Sequence, residues 1–209
     1  ASMLLLSWLL ILQLHVPFRT PLEPKCFSLD RFWLPRAKIL FFTLVPISFL
    51  LGMLLPRNYT VYFYGWLFGG FILSQAIHYF FFRTRDSRLL MLLGFVALIL
   101  VYVINLLVPE PDVVPFTGLL AGAGGGLLTS RYLIYFMRVA EHCERGTAQS
   151  SYMLGWESGL CLGMLGSSLL LPRNAQIVYW IGLAVVLLLA VFYFAKVHRW
   201  FLTHSRKGM

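Results

Sequence analysis

The sequence predicts an all-helical integral membrane protein, and three observations carry that prediction. Of the 209 residues, 59% are hydrophobic and only 12% are charged, where a soluble domain carries about 25% charged residues. The mean hydropathy is +0.79. The apolar runs are also longer than those of a soluble helix, which must break them every few residues to keep a wet face. A soluble enzyme, a nucleic-acid-binding module and a disulfide-stapled secreted domain all fit this composition poorly.

Seven apolar segments follow one another, roughly Ser2–Val16, Ala37–Leu55, Thr60–Phe82, Arg88–Val108, Val114–Met137, Thr147–Leu171 and Gln176–Val197. Six approach or exceed the ~20 residues a helix needs to cross a ~30 Å hydrocarbon core. The first is shorter and has no basic region before it, so it fits a signal peptide poorly. It fits a helix cut by a fragment boundary better, and the chain is expected to be part of a longer polypeptide.

Charge placement sets the topology. The net charge is +9, and all the basic residues except Arg57, Arg131 and Arg173 fall in alternate connections or in the tail. Cytoplasmic loops retain Lys and Arg, so that side and the C-terminus are predicted to be cytoplasmic. The positive charge is thereby accounted for without nucleic acid. The opposite connections, such as Pro56-Arg57-Asn58 and Pro172-Arg173-Asn174, are tight turns, since Pro and Asn end helices. Neighbouring helices are therefore expected to be antiparallel. The connection 17–36 mixes Phe18, Phe27, Leu29, Phe32 and Trp33 with basic residues, a composition suited to the membrane interface.

Lipid supplies no hydrophobic drive between helices, so close packing depends on small residues. Glycines recur at four-residue spacing at Gly65 and Gly69, at Gly118, Gly122 and Gly126, and at Gly155, Gly159 and Gly163. Each set shares a helical face. The plain expectation is contact with a neighbouring helix; the alternative is flexibility, with the 122–126 cluster as the softest point, since Gly weakens a helix by up to ~1 kcal/mol. Pro46, midway along its segment, is expected to remove one helix hydrogen bond and kink the helix.

Polar groups within the spans are the candidate functional residues. Glu157 lies eleven residues after Gly146, roughly 16 Å into its helix, where a charge costs at least ~2.5–3.5 kcal/mol. It points away from the Gly155–Gly159 stripe, on a face shared with Ser150, Met153, Cys161 and Met164. That mixture predicts a cavity wall. Glu157 then either exchanges a proton or meets a cationic part of a substrate, or else is a structural carboxyl tying two helices together. Arg131 either snorkels to the cytoplasmic surface or pairs with Glu157 or an anionic substrate. Ser74, Gln75 and His78 form a third cluster, with Gln75 the deeper cavity candidate.

Enzyme chemistry finds little support. Gly155-Trp156-Glu157-Ser158-Gly159 places Ser fourth, where a nucleophile elbow needs it third. No metal-ligand spacing is present, and Cys26, Cys143 and Cys161 show no paired spacing. No catalytic residue, metal or cofactor is predicted.

Taken together, Arg145-Gly146-Thr147-Ala148-Gln149 leading into Gly155, Gly159 and Gly163, with a Gly-rich helix before it, resembles the C-terminal half of a major facilitator superfamily transporter, particularly Bacteroidetes-type members. The resemblance covers the whole chain. It implies the end of helix six over 1–16, a cytoplasmic central loop over 17–36, and a six-helix bundle with a short tail over 37–209, built as two three-helix inverted repeats. Arg83, Arg85, Asp86 and Arg88 occupy the place of the family's cytoplasmic gate loop, with Phe82 where Gly is expected and Ser87 where Arg is usual. The implied function is alternating-access transport of a small solute in a bacterial inner membrane, with protons as a candidate coupling ion. The implied partners are the bilayer and an N-terminal six-helix half. The competing expectation is a seven-helix receptor or assembly scaffold without transport activity.

Overall fold

A computed structural model describes residues 32–56, 61–81, 87–108, 113–170 and 175–204. Every regular element among them is helical. A 3-10 turn, Pro35–Ala37, leads into α1 (Lys38–Leu54); then come α2 (Val61–Phe81), α3 (Ser87–Leu107), α4 (Val114–Val139), α5 (Arg145–Leu170) and α6 (Ala175–Phe192). A π-helical turn, Tyr193–Val197, carries the last helix on into α7 (His198–His204). The predicted bounds of the six spans agree with α1–α6 to within a few residues. The exception is the last, which was expected to end at Val197 and instead continues to His204. The segments 1–16 and most of 17–36, with Gln13, His15 and Cys26, lie outside the described residues, as do Arg83, Arg85 and Asp86.

Among the described residues three helical stretches are both long and apolar enough to cross a membrane: Pro35–Leu54, Arg88–Leu107 and Gln176–His204, with hydropathies of 2.0, 2.8 and 2.6. These correspond to α1, α3 and the α6–α7 rod. The remaining helices are diluted by Gly, Ser, Thr, Tyr and Gln.

The packing follows from where small residues fall. α1 lies along α5, α2 lies along α4, and α3 packs against both α4 and α6. In the first pair Gly155 abuts Phe41 and Leu44, Gly159 abuts Ser48 and Val45, and Gly163 abuts Phe49 and Gly52. In the second, Gly118 meets Phe63, Gly122 meets Leu67, and Gly126 meets Phe71 and Ser74. The expectation for Gly65 and Gly69 is corrected: no atom of another helix lies within 4 Å of where their Cβ atoms would stand, and the contact glycine of α2 is Gly70, against Leu119. The face of α2 that meets α4 runs through Phe63, Leu67, Gly70, Phe71 and Ser74, at steps of three and four. Gly65 and Gly69 fall off that face by helical periodicity.

Hydroxyls stitch the pairs together where hydrocarbon offers no water. Tyr102 of α3 donates to the Leu50 carbonyl at 2.6 Å, and Ser167 of α5 to the Met53 carbonyl at 2.8 Å. Ser48 of α1 reaches the Gly155 carbonyl at 3.3 Å. α1 runs unbroken as a helix through Pro46. The core beneath these contacts is continuous, from Leu40, Leu44 and Ile47 through Phe95, Leu98 and Tyr102 to Leu128, Tyr132 and Tyr193.

Candidate functional site

Four helices converge on an inner groove of about 160 Å³, lined by Leu51 and Leu55 from α1 and its end, Leu67 and Phe71 from α2, Ala121, Gly122, Gly125 and Gly126 from α4, and Trp156 and Leu160 from α5. α4 shapes it. Because Gly122 and Gly126 carry no side chain, α2 closes on α4 from one side, while Gly125 receives the Leu51 side chain from another. The groove is therefore narrow and apolar, with the indole of Trp156 as its largest wall. α3 and α6 contribute nothing to it.

A polar track runs from this groove toward the predicted cytoplasmic end, along the seam between α2 and α4. Ser74 lies buried and donates to the Phe71 carbonyl at 2.7 Å. The Gln75 amide nitrogen donates to the Gly126 carbonyl at 3.1 Å, and Ser130 donates to the same carbonyl at 2.7 Å. One turn further on, Arg131 Nη2 stands 3.0 Å from His78 Nδ1. A guanidinium only donates, so the imidazole accepts. Steps of three or four residues place Phe71, Gln75 and His78 on one face of α2, opposite Gly126 and its neighbours on α4.

Glu157 is elsewhere. It is exposed and lines a separate, open groove of about 420 Å³ on the outer side of α5, with Phe32, Gly146, Gln149, Ser150, Met153 and Leu154. Among the described residues it makes no hydrogen bond or ion pair. The alternative in which Arg131 pairs with Glu157 finds no contact among the described residues, where Arg131 engages His78. The face read as a cavity wall divides: Ser150, Met153 and Glu157 line this open groove, while Cys161 and Met164 are exposed beyond it. The cause is how α5 apportions its faces. Gly155, Gly159 and Gly163 go to α1, and Trp156 and Leu160 to the inner groove, which leaves 153, 157, 161 and 164 facing out. The predicted pathway residues thus fall into two sets, Gln75, His78 and Arg131 on one seam and Glu157 with Ser150 on an outer face, and no described contact joins them.

Two further clusters sit at the predicted cytoplasmic end. Arg88, from the predicted gate loop, donates its Nε to His198 Nε2 and so ties the start of α3 to α7. Arg36 bridges to Glu141 and, at 4.0 Å, to Glu144, fastening the approach to α1 onto the α4–α5 connection. That connection is a capping box in which Glu141 and Glu144 satisfy each other's backbone N–H groups. Ser151 clamps the same approach, accepting from Leu34 N at 2.8 Å and donating to the Phe32 carbonyl at 2.9 Å.

Sequence reasoning missed the buried tyrosines. Tyr135 and Tyr193 share a hydroxyl–hydroxyl bond of 2.9 Å, next to the π-helical turn. Tyr102 was also passed over, although a phenol midway along an apolar span needs an acceptor and that signal was available. Among the described residues no group of His, Cys, Asp and Glu is placed to hold a metal. No protein-family model, curated protein or solved structure matches the chain.

Proposed function

We propose that this chain is one half of a secondary active transporter, a six-helix bundle of the major facilitator type that moves a small solute by alternating access. The observation that carries the reading is the symmetry of its helix pairing. Divide the bundle into α1–α3 and α4–α6, and exchange the two sets in order. The α1/α5 pair then maps onto the α4/α2 pair, and α3/α6 maps onto itself. Two three-helix repeats of opposite topology, related by a pseudo-twofold axis, pack in this way.

The composition supports it. α2, α4 and α5 are the less apolar helices, and together with α1 they line the inner groove, whereas α3 and α6 are strongly apolar and stand behind. A solute path needs that division, because helices that line it can carry polar groups shielded from lipid. A second bundle of the same kind would face this groove, and binding at the interface between two bundles is the transporter arrangement. Gln75, His78 and Arg131 would meet the solute or its charge near the cytoplasmic mouth. Glu157, on an outer face, would act only through the open groove it lines with Ser150. The bundle would sit in a bacterial inner membrane with α7 on the cytoplasmic side, as the basic connections require.

Water access tests the proposal. With Cys26, Cys143 and Cys161 replaced by Ser, Trp156→Cys should react with a membrane-impermeant maleimide, because an alternating path opens its wall to one aqueous face. A protein that inserts normally but leaves Cys at 156 unlabelled from both faces has no such path, and the receptor or scaffold alternative would then take its place.

A further inference from the structure

A further cavity lies outside both candidate sites. It has a volume of about 670 Å³ and is formed where the start of α1 meets the end of the α6–α7 rod, with Pro35, Arg36, Lys38, Ile39, Phe42, Val139, Phe192, Trp200 and His204 around it. Its size falls within the ~300–1,000 Å³ of small-ligand sites. The two ends that form it belong to the same, basic side of the predicted topology.

We infer that this cavity binds an anionic phospholipid of the cytoplasmic leaflet, its headgroup at Lys38 and His204 and its first acyl carbons between Phe42 and Phe192. Charge complementarity is the argument. The cavity's lining contains Arg36, Lys38 and His204 and no acidic side chain. Arg36 is partly committed to Glu141, whereas Lys38 makes no side-chain hydrogen bond or ion pair among the described residues and is exposed. α1 begins here with no acidic residue in its first turn to offset Lys38. Below the mouth the walls turn apolar: Phe42 is 66% exposed and Phe192 39% exposed, both where acyl chains begin. Trp200, stacked on His204 with ring centroids 4.8 Å apart, sits at the boundary, as interfacial Trp residues do. A basic rim above an apolar slot matches a lipid with a charged head, and matches neither a soluble anion nor a neutral lipid.

The inference rests on the membrane topology proposed above and is independent of transport. The experiment is native mass spectrometry of the full protein released from a mild detergent after exchange with equimolar phosphatidylglycerol and phosphatidylcholine. Phosphatidylglycerol should be retained preferentially. Lys38→Gln should lower that retention about fivefold, the effect of one basic charge near an anionic surface. Lys196→Gln, an exposed lysine that does not line the cavity, should leave it within twofold. Equal retention of the two lipids by the unaltered protein overturns the proposal without need of any variant. So does equal loss with Lys196→Gln, which would mean diffuse surface charge, and so does displacement by millimolar glycerol phosphate, which would mean a free-anion site. Carbonate extraction of the protein from membranes would instead sink the topology itself, and so is distinguishable from all three.

Discussion

Gly52 of α1 and Gly163 of α5 face each other across the helix pair: a methyl group on Gly163 would come within 2.9 Å of the Gly52 Cα, and one on Gly52 within 3.1 Å of the Gly163 Cα. Neither backbone can yield without separating α1 from α5. Gly163→Ala is therefore expected to destabilise by about 1–3 kcal/mol, the usual cost of an inserted methyl in a packed interior. Gly65→Ala, with no neighbouring helix nearby, should instead be neutral or stabilise by up to ~1 kcal/mol through helix propensity. Unfolding by a titration of denaturing detergent, followed by circular dichroism, reads both. Equal effects from the two substitutions would mean the α1/α5 contact is not as close as described.

Tyr102 and Ser167 each spend a buried hydroxyl on a carbonyl of α1. The Met53 carbonyl is among the last four of its helix and lacks an intrahelical partner, so Ser167→Ala leaves a bare acceptor. The Leu50 carbonyl retains its place in the helix, so Tyr102→Phe removes only a second bond. Ser167→Ala should cost about 1–2 kcal/mol and Tyr102→Phe about 0.5–1 kcal/mol, within the range for buried hydrogen bonds. The same detergent titration measures them, and a reversed order would contradict the assignment of partners.

The six helices were legible in the sequence because length and hydropathy are local properties that survive packing, although among the described residues only α1, α3 and the α6–α7 rod are apolar enough to cross a membrane. The partner of each glycine stripe was not. Spacing told that Gly118, Gly122 and Gly126 share a face, as do Gly155, Gly159 and Gly163, but not which helix each face meets. Gly65 and Gly69 had the same spacing and meet none. The rotation of Glu157 away from its stripe was correctly read, yet what lies beyond that face depends on the third dimension, and an open outer groove and a closed cavity look alike in one helix. The pairing of Arg131 with His78 joins residues 53 apart in sequence, a separation at which periodicity carries no information. The extension to His204 was missed because the basic residues Lys196 and Arg199 suggest an aqueous tail, whereas Val197 and Phe201 stay buried and hold the helix together.

Glu157→Gln separates function from structure. The carboxyl is exposed and unpartnered among the described residues, so the substitution should change stability by no more than ~0.5 kcal/mol. Expression and melting temperature in detergent are the readouts. A large loss of either would mean that Glu157 is a structural tie, as the sequence alone also allowed. With folding intact, any change in solute uptake belongs to chemistry at the outer groove.

The topology makes a prediction of its own. Reporters fused after His204 and in the α2–α3 connection should score as cytoplasmic, and one in the α5–α6 connection as external, because Lys and Arg hold their flanks inside. Paired phosphatase and fluorescent-protein fusions give opposite signals on the two sides. An external score after His204 would invert the bundle and with it the lipid-leaflet assignment of the cavity beside Trp200.

The division of the candidate residues into two sets is testable by coupling. Arg131 contacts His78 at 3.0 Å, and the structure gives it no contact with Glu157. In a double-mutant cycle, Arg131→Ala with His78→Ala should therefore show a coupling of about 0.6 kcal/mol, typical of interhelical polar contacts in membrane bundles. Arg131→Ala with Glu157→Ala should be additive to within ~0.3–0.5 kcal/mol, as distant sites are. The two cycles share one single variant, so a global weakening caused by losing Arg131 cancels between them. The opposite pattern, coupling to Glu157 and none to His78, would restore the intramembrane ion pair and place both charges on a single path.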